Sequence, residues 1–245
     1  MLHGLWGHVD LERDAGVLHV VATWPCDEGR RVIRITEQSP KSDTDFFLLN
    51  LARARADVIL TTGRILREEP HLEYSLPPAW APGMLAWREA AMGRTTPPKV
   101  AVLTSGRDLD PDHPALHGWA SPVIVTSQDA ARALRPQLPG HVDVIGLKLP
   151  SAREAIAWAR GAGATTVSIE AGPSTARALY ADPAVVDELW LSEFLESDLA
   201  HALRGPIVFA KAPGSGLLQP VGPEGLRHEP SGRWRFSRFR HRGMR

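Results

Sequence analysis

The sequence predicts an α/β fold: a mostly parallel central sheet flanked by helices, with an antiparallel C-terminal finish. Three observations predict it. Short, near-continuous apolar runs at 16–23, 57–62, 99–105 and 122–126 read as buried strands of the parallel kind. Amphipathic stretches at helical spacing, among them 44–56 and 152–161, stand between such runs and are joined to them by short turns. After Gly205 the alternation stops, and strand-like runs at 206–209, 217–221 and 233–239 follow one another with no helix between them. Consecutive strands without crossovers pair antiparallel.

Taken in order, the strand at 16–23 is expected to close in the polar loop Trp24-Pro25-Cys26-Asp27-Glu28-Gly29, followed by a short extra strand over 31–36. Ser42 or Asp43 has the side-chain oxygen to cap the next helix, where Phe46, Phe47, Leu49, Asn50 and Ala54 recur at helical spacing. A strand over 57–62 ends at Gly63. Residues 70–98 are proline-rich and read as a long excursion with one helix over 84–92, the kind of loop that serves as a lid, a binding wall or a dimer contact. Strands at 99–105, 122–126 and 142–146 come next, with a helix over 129–134. The helix at 152–161 leads into residues 166–179, and a strand over 185–194 leaves them. No linker divides the chain, so residues 1–245 are expected to form a single domain.

The stretch 166–179 carries the chemistry. Val167-Ser168-Ile169 is a short β-branched strand, Gly172 permits a sharp turn, and Pro173 suits the first turn of a helix. Free backbone N–H groups and the positive end of the helix dipole then meet whatever sits above the strand. With the hydroxyls of Ser174 and Thr175 added, the natural guest is a phosphate or pyrophosphate, though an ordinary strand-to-helix turn has the same outline. Neither the Gly-x-Gly-x-x-Gly fingerprint nor a Gly-x-x-x-x-Gly-Lys-Ser/Thr loop occurs.

Composition narrows the function classes. Lysine plus arginine equals aspartate plus glutamate at 28 each, so no global charge favours nucleic acid or a membrane surface. The single cysteine, Cys26, excludes an intrachain disulfide framework and a cysteine-rich zinc site. The ten histidines show no metal-ligand spacing, so no metal is expected. No apolar run of transmembrane length and no signal pattern is seen, which leads to the expectation of a cytoplasmic protein. The arginine-rich end, 227–245, alternates with Trp234, Phe236 and Phe239, as an edge strand with one buried and one charged face would.

Four segments taken together resemble a known family: 48–61 running into 63–70, then 100–105, then Ser168-Ile169-Glu170-Ala171-Gly172-Pro173-Ser174, then 186–189. In order and spacing they are similar to the pyrimidine reductases of riboflavin biosynthesis, the reductase half of the bifunctional deaminase/reductase. The resemblance covers roughly residues 15–240. It implies a dihydrofolate-reductase-like fold and an NADPH-dependent reduction of a ribosylamino-pyrimidine to its ribityl form. It also implies a small-molecule substrate. On the cofactor side it places Ala22, Arg64, Glu68, Ser105, Gly172, Pro173, Ser174 and Thr175. On the substrate side it places Arg53, Glu170 and Leu72, with Glu170 as the candidate catalytic residue. Paired edge strands and many tryptophans add the expectation of a homodimer.

The departures are concentrated on the substrate side, and they leave a non-catalytic nucleotide-binding protein of the same fold as the alternative to a reductase. The lysine of the family's first strand is matched by His19, its Asp-Asp-Pro by Glu68-Glu69-Pro70, and the arginine after that proline by Ser75. A Trp-Ile-Ser stretch before the helix is missing. The deaminase half is also absent, since Pro25-Cys26 has no second cysteine for the zinc site that half requires. Each residue keeps a plain structural reading beside the functional one. Glu170 serves as acid/base, orients a substrate hydroxyl, or binds backbone N–H groups of the turn. Arg64 meets a cofactor 2′-phosphate or is a solvated arginine. Arg53 and Arg55 bind substrate or form the solvated face of a helix, and His19 reads as a satisfied core histidine.

Overall fold

Alternation of strand and helix, expected from the apolar runs, is what the chain adopts. Its structure is a computed structural model that describes residues 11, 16–181, 183–211, 218–221, 226–228 and 231–241. In order come β1 (Gly16–Cys26), β2 (Gly29–Ile33), α1 (Asp43–Arg55), β3 (Val58–Thr62), α2 (Gly63–Glu68), α3 (Ala81–Met92), β4 (Lys99–Leu103), β5 (Ser121–Ser127) and α4 (Gln128–Leu134). Then follow β6 (Asp143–Leu147), α5 (Ala152–Gly161), β7 (Thr166–Ile169), α6 (Pro173–Tyr180), β8 (Glu188–Phe194), β9 (Arg204–Phe209), β10 (Leu218–Pro220), β11 (Leu226–His228) and β12 (Trp234–His241). Serine hydroxyls cap three of the helices: Ser42, Ser127 and Ser151 each accept from the backbone N–H three residues on, at 3.2 Å.

The chain divides into two compact units, Asn50–Gly172 and a second made of Met1–Leu49 with Pro173–Arg245. In the first unit five strands run parallel in the order β7-β3-β4-β5-β6. Helix α4 packs on β5 and β6, and α5 on β3 and β4. Their apolar faces build a core that includes Ile59, Leu66, Val100, Leu116, Ile124 and Val144. The chain lays down β3 to β6 outward and then returns through α5 to place β7 on the other side of β3. Strand order therefore reverses between β3 and β7. A reversal of this kind, at the carboxyl ends of the strands, is where open α/β sheets bind ligands.

In the second unit β1 and β8 are parallel, and β12 lies antiparallel on β8. Three expectations are corrected here. Trp24, Pro25 and Cys26 are not a loop but the end of β1, paired with Arg31, Arg30 and Gly29 of β2. Pro25 is tolerated because the β1–β8 register stops at Thr23, so its missing N–H costs no bond on that side. The strand expected from residue 185 starts at Glu188; just before it, Asp187 Oδ2 accepts from Val17 N–H at 2.7 Å. Most consequentially, β12 is not an edge strand, since β10 and β11 both pair on its far side. Two of its arginines are paired inside the sheet: Arg238 with Glu188, and Arg235 with Glu193 at 2.8 Å, which Arg30 also meets at 2.6 Å. Among the described residues no helix is long and apolar enough to cross a membrane.

His19 confirms its core reading. It is buried on β1, its Nδ1 shares a hydrogen bond of 2.8 Å with the Tyr180 hydroxyl, and burial lowers its pKa from 6.5 to about 4. A histidine whose folded pKa is depressed stabilises the fold above the unfolded value. That contribution, about 3 kcal/mol for such a shift, is lost as pH falls from about 6.5 toward about 4. Urea unfolding of the wild type should therefore weaken across that window, and His19→Gln should flatten the slope. An unchanged slope in the variant would assign the acid sensitivity elsewhere.

Candidate functional site

The carboxyl ends of β3 and β7 are where the first unit brings two of the expected site residues together. β7 ends at Ile169, and Glu170 stays in register because its N–H donates to Leu60 C=O at 2.9 Å. Its carboxylate meets Arg53 from the last turn of α1. Arg53 Nε donates to Oε1 at 2.9 Å and to Oε2 at 3.2 Å, and Nη2 donates to Oε2 at 2.7 Å. The forked geometry matches a planar guanidinium to a carboxylate. Both side chains are nearly enclosed, at 7% and 10% exposure. The solvated-face reading of Arg53 is thus wrong, and Arg55 is also fully buried. Glu170 does not serve the turn's N–H groups either; its partner is a cation.

Burial alone would lower the Arg53 pKa, but the charge and hydrogen bonds of Glu170 outweigh it and raise the value. The guanidinium also lies 4.8 Å from the centre of the Tyr74 ring. Tyr74 is buried, and burial followed by the Glu170 carboxylate pushes its hydroxyl well above the ordinary phenol range. Glu69 completes the group. Its carboxyl is raised, first by burial and then by repulsion from Glu170, with Arg53 pulling the other way. One cation therefore faces two carboxyls, and Glu69 is pushed to keep its proton to higher pH than an ordinary carboxylic acid. Neither Glu69 nor Tyr74 was singled out from the sequence as a site residue. The Glu69-Pro70 step was visible, but what marks these two is their spatial neighbours.

The long excursion 70–98 does more than supply Tyr74. Arg88 on α3 is buried, and its Nη1 donates to the carbonyls of Ala54 and Ala56 at 2.7 Å each. These are carbonyls at and just past the end of α1, which otherwise lack partners. Arg94 pairs with Asp57 Oδ1 at 2.8 Å, and Asp57 Oδ2 accepts from Thr165 N–H at 2.8 Å and Thr166 N–H at 2.9 Å. Asp57, two residues past the end of α1, is thereby fastened to the start of β7, the strand that Glu170 follows.

The other expected residues fall as follows. Arg64 and Glu68 pair with each other across one turn of α2 at 2.7 Å, both exposed. Thr62 Oγ1 caps that helix by accepting from Ile65 N–H at 3.3 Å. Gly63 opens it without a side chain because an added Cβ would lie 2.6 Å from Thr104 Oγ1. Ser105 is exposed just past β4, and Leu72 is half-buried against the core. Gly172 follows Glu170, has no neighbour within 4 Å of an added Cβ, and does not adopt positive φ. Pro173, Ser174 and Thr175 begin α6 as expected, with Ser174 exposed. Ala22 is half-buried on β1 opposite Ser192.

No protein-family model matches the sequence and no curated protein matches it. Solved structures do resemble it. A pyrimidine reductase-like protein from Corynebacterium diphtheriae superposes with a TM-score of 0.69 at 22% identity, covering 99% of this chain and 98% of that one. The riboflavin biosynthesis reductase of Saccharomyces cerevisiae gives a TM-score of 0.54 at 13% identity, with 98% and 96% covered. The deaminase/reductase of Thermotoga maritima, a diaminohydroxyphosphoribosylaminopyrimidine deaminase/5-amino-6-(5-phosphoribosylamino)uracil reductase, gives 0.60 at 14% identity. There 92% of this chain is covered, and the chain spans 56% of the length of that protein. The fold is thus the one the sequence resemblance implied.

Proposed function

We propose that this chain is an NADPH-dependent reductase related to the riboflavin-pathway pyrimidine reductases, with a substrate that has diverged from theirs. The observation that carries the proposal is the enclosed Arg53–Glu170 pair at the carboxyl end of β7, beside the reversal of strand order and two residues before Gly172. The residues fit a dinucleotide: the space beside Gly172 is open, and the first turn of α6 offers backbone N–H groups and two hydroxyls. Gly172, Pro173, Ser174 and Thr175 would hold its phosphates, with Ala22, Arg64, Glu68 and Ser105 as the further cofactor residues. When bound, NADPH supplies the hydride.

The chain's own residues do the rest by positioning and proton supply. Arg53 and Glu170 orient substrate oxygens, and Arg53 Nη1 makes no hydrogen bond among the described residues. Glu69, whose pKa is pushed upward by burial and by Glu170, is the candidate proton donor to the reduced substrate. Leu72 adds an apolar wall. The divergence of substrate is supported by His19, which stands where the family has a lysine and is buried and neutral.

Purified protein should quench or enhance NADPH fluorescence on titration, yet fail to turn over the ribosylamino-pyrimidine phosphate and fail to support a riboflavin auxotroph lacking its pyrimidine reductase. Growth without riboflavin would restore the family's own reaction. Glu170→Gln should lower kcat/KM while NADPH affinity stays within a few-fold, measured well below the melting temperature. Normal specific activity with a lowered melting temperature would make Glu170 purely structural. A homodimer in the cytoplasm is the proposed form, to be checked by sedimentation and fractionation.

A further inference from the structure

At the opposite edge of the parallel unit, away from the carboxyl ends, a cavity of about 350 Å³ opens where β5 begins. Its walls include His117, Trp119, Ser121, Pro122 and His141. The two histidines are 24 positions apart in sequence, so no ligand spacing announces them, yet their ring centres lie 5.2 Å apart with planes inclined at 60°. Each ring is anchored in the same way. His117 Nε2 meets the carbonyl of Pro111 at 3.0 Å, and His141 Nε2 meets the carbonyl of Leu116 at 2.9 Å. A carbonyl oxygen has no proton to give, so Nε2 is the donor in both rings. In the neutral imidazole that leaves Nδ1 of each as an unprotonated lone pair.

Two fixed lone pairs of this kind have no use for an anion or a hydrogen-bond acceptor. They suit a cation with affinity for imidazole nitrogen. Metal-bound histidines share the anchoring seen here, with the other ring nitrogen donating to a backbone carbonyl, which sets the tautomer and makes the free nitrogen more basic. The spacing agrees as well. With Zn–N bonds of about 2.0–2.1 Å and a tetrahedral angle, two imidazoles on one ion have ring centres about 5 Å apart. We infer that His117 and His141 form a two-imidazole site for a divalent transition-metal ion of the Zn²⁺ class. Among the described residues no cluster of three or more His, Cys, Asp or Glu is placed to hold a metal, so water from the cavity completes the coordination. The ion would tie the loop before β5 to the turn before β6, far from the proposed reductase chemistry and independent of it.

The test uses the untagged chain after chelator treatment and dialysis, with Zn²⁺ alone as the probe. A ligand that binds the folded form raises the melting temperature by mass action. Wild type should show a saturable Zn²⁺-dependent rise and a binding isotherm by calorimetry. His117→Gln and His141→Gln should each weaken the isotherm by about tenfold or more, and the double variant should lose the thermal shift. Both rings are exposed and glutamine keeps a donor for the carbonyl, so the variants should fold, which circular dichroism checks. No thermal shift in wild type, or an equal shift in the double variant through the other histidines, overturns the site. A separate measurement of NADPH binding, unchanged in all three variants, keeps this result distinct from the proposed reductase function.

Discussion

Gly172→Asp is expected to abolish NADPH binding while leaving the fold intact. The two halves of that expectation rest on different observations. An added Cβ at Gly172 has no neighbour within 4 Å, and the residue does not use the left-handed backbone that only glycine adopts readily. Aspartate therefore costs the apoprotein little. In the complex its carboxylate would face a phosphate, and two like charges about 4 Å apart repel by about 4 kcal/mol at an effective dielectric of about 20. A loss of roughly 100-fold or more in affinity follows from that alone. Fluorescence titration reads the affinity and circular dichroism the fold, with Gly172→Ala as the control for size without charge. An affinity within a few-fold of wild type in the aspartate variant would place the dinucleotide elsewhere.

Arg53→Met should be the most destabilising change at the site, by about 3–5 kcal/mol. Removing one member of an enclosed ion pair leaves the other as an uncompensated charge, a far larger penalty than the net worth of the pair. Here the orphan is Glu170, at 10% exposure, beside a second carboxyl at Glu69 and a buried Tyr74 that loses the cation over its ring. Urea unfolding measures the loss. The double variant Arg53→Met/Glu170→Gln should recover part of it, because the stranded charge is gone, and the non-additivity reports the coupling. A loss below about 1 kcal/mol, the range of exposed pairs, would mean that water reaches the pair freely.

The elements of the parallel unit were legible because their signals are local. β3, β4 and β5 are continuous apolar runs, α5 is an amphipathic stretch whose bounds were read correctly, and the Gly172-Pro173 turn has its own chemistry. What misled was context. Trp24-Pro25-Cys26 looks like a loop because proline and polar neighbours usually break strands, and nothing local says that β2 will fold back to pair with it. Arg235 and Arg238 of β12 look like a charged edge until Glu193 and Glu188, 42 and 50 residues earlier in the chain, are seen to pair with them.

Residue type and local period thus sufficed for the class of fold, for most of its strands and helices though not the short α2 or β11, and for the turn at Gly172. The state of each charged group did not follow from them. Arg53 could be read as solvated because helical spacing says which side chains share a face, not what lies opposite that face. Glu170, Tyr74 and Glu69 reach it from 117, 21 and 16 positions away in the chain. At such distances the dielectric, the ion partner and the resulting pKa are properties of packing. Secondary structure is set by bonds within a few residues, whereas electrostatics is set by whatever folding brings within a few ångströms. That is why the scaffold could be read in the string of residues while the chemistry of the site had to await the assembled chain.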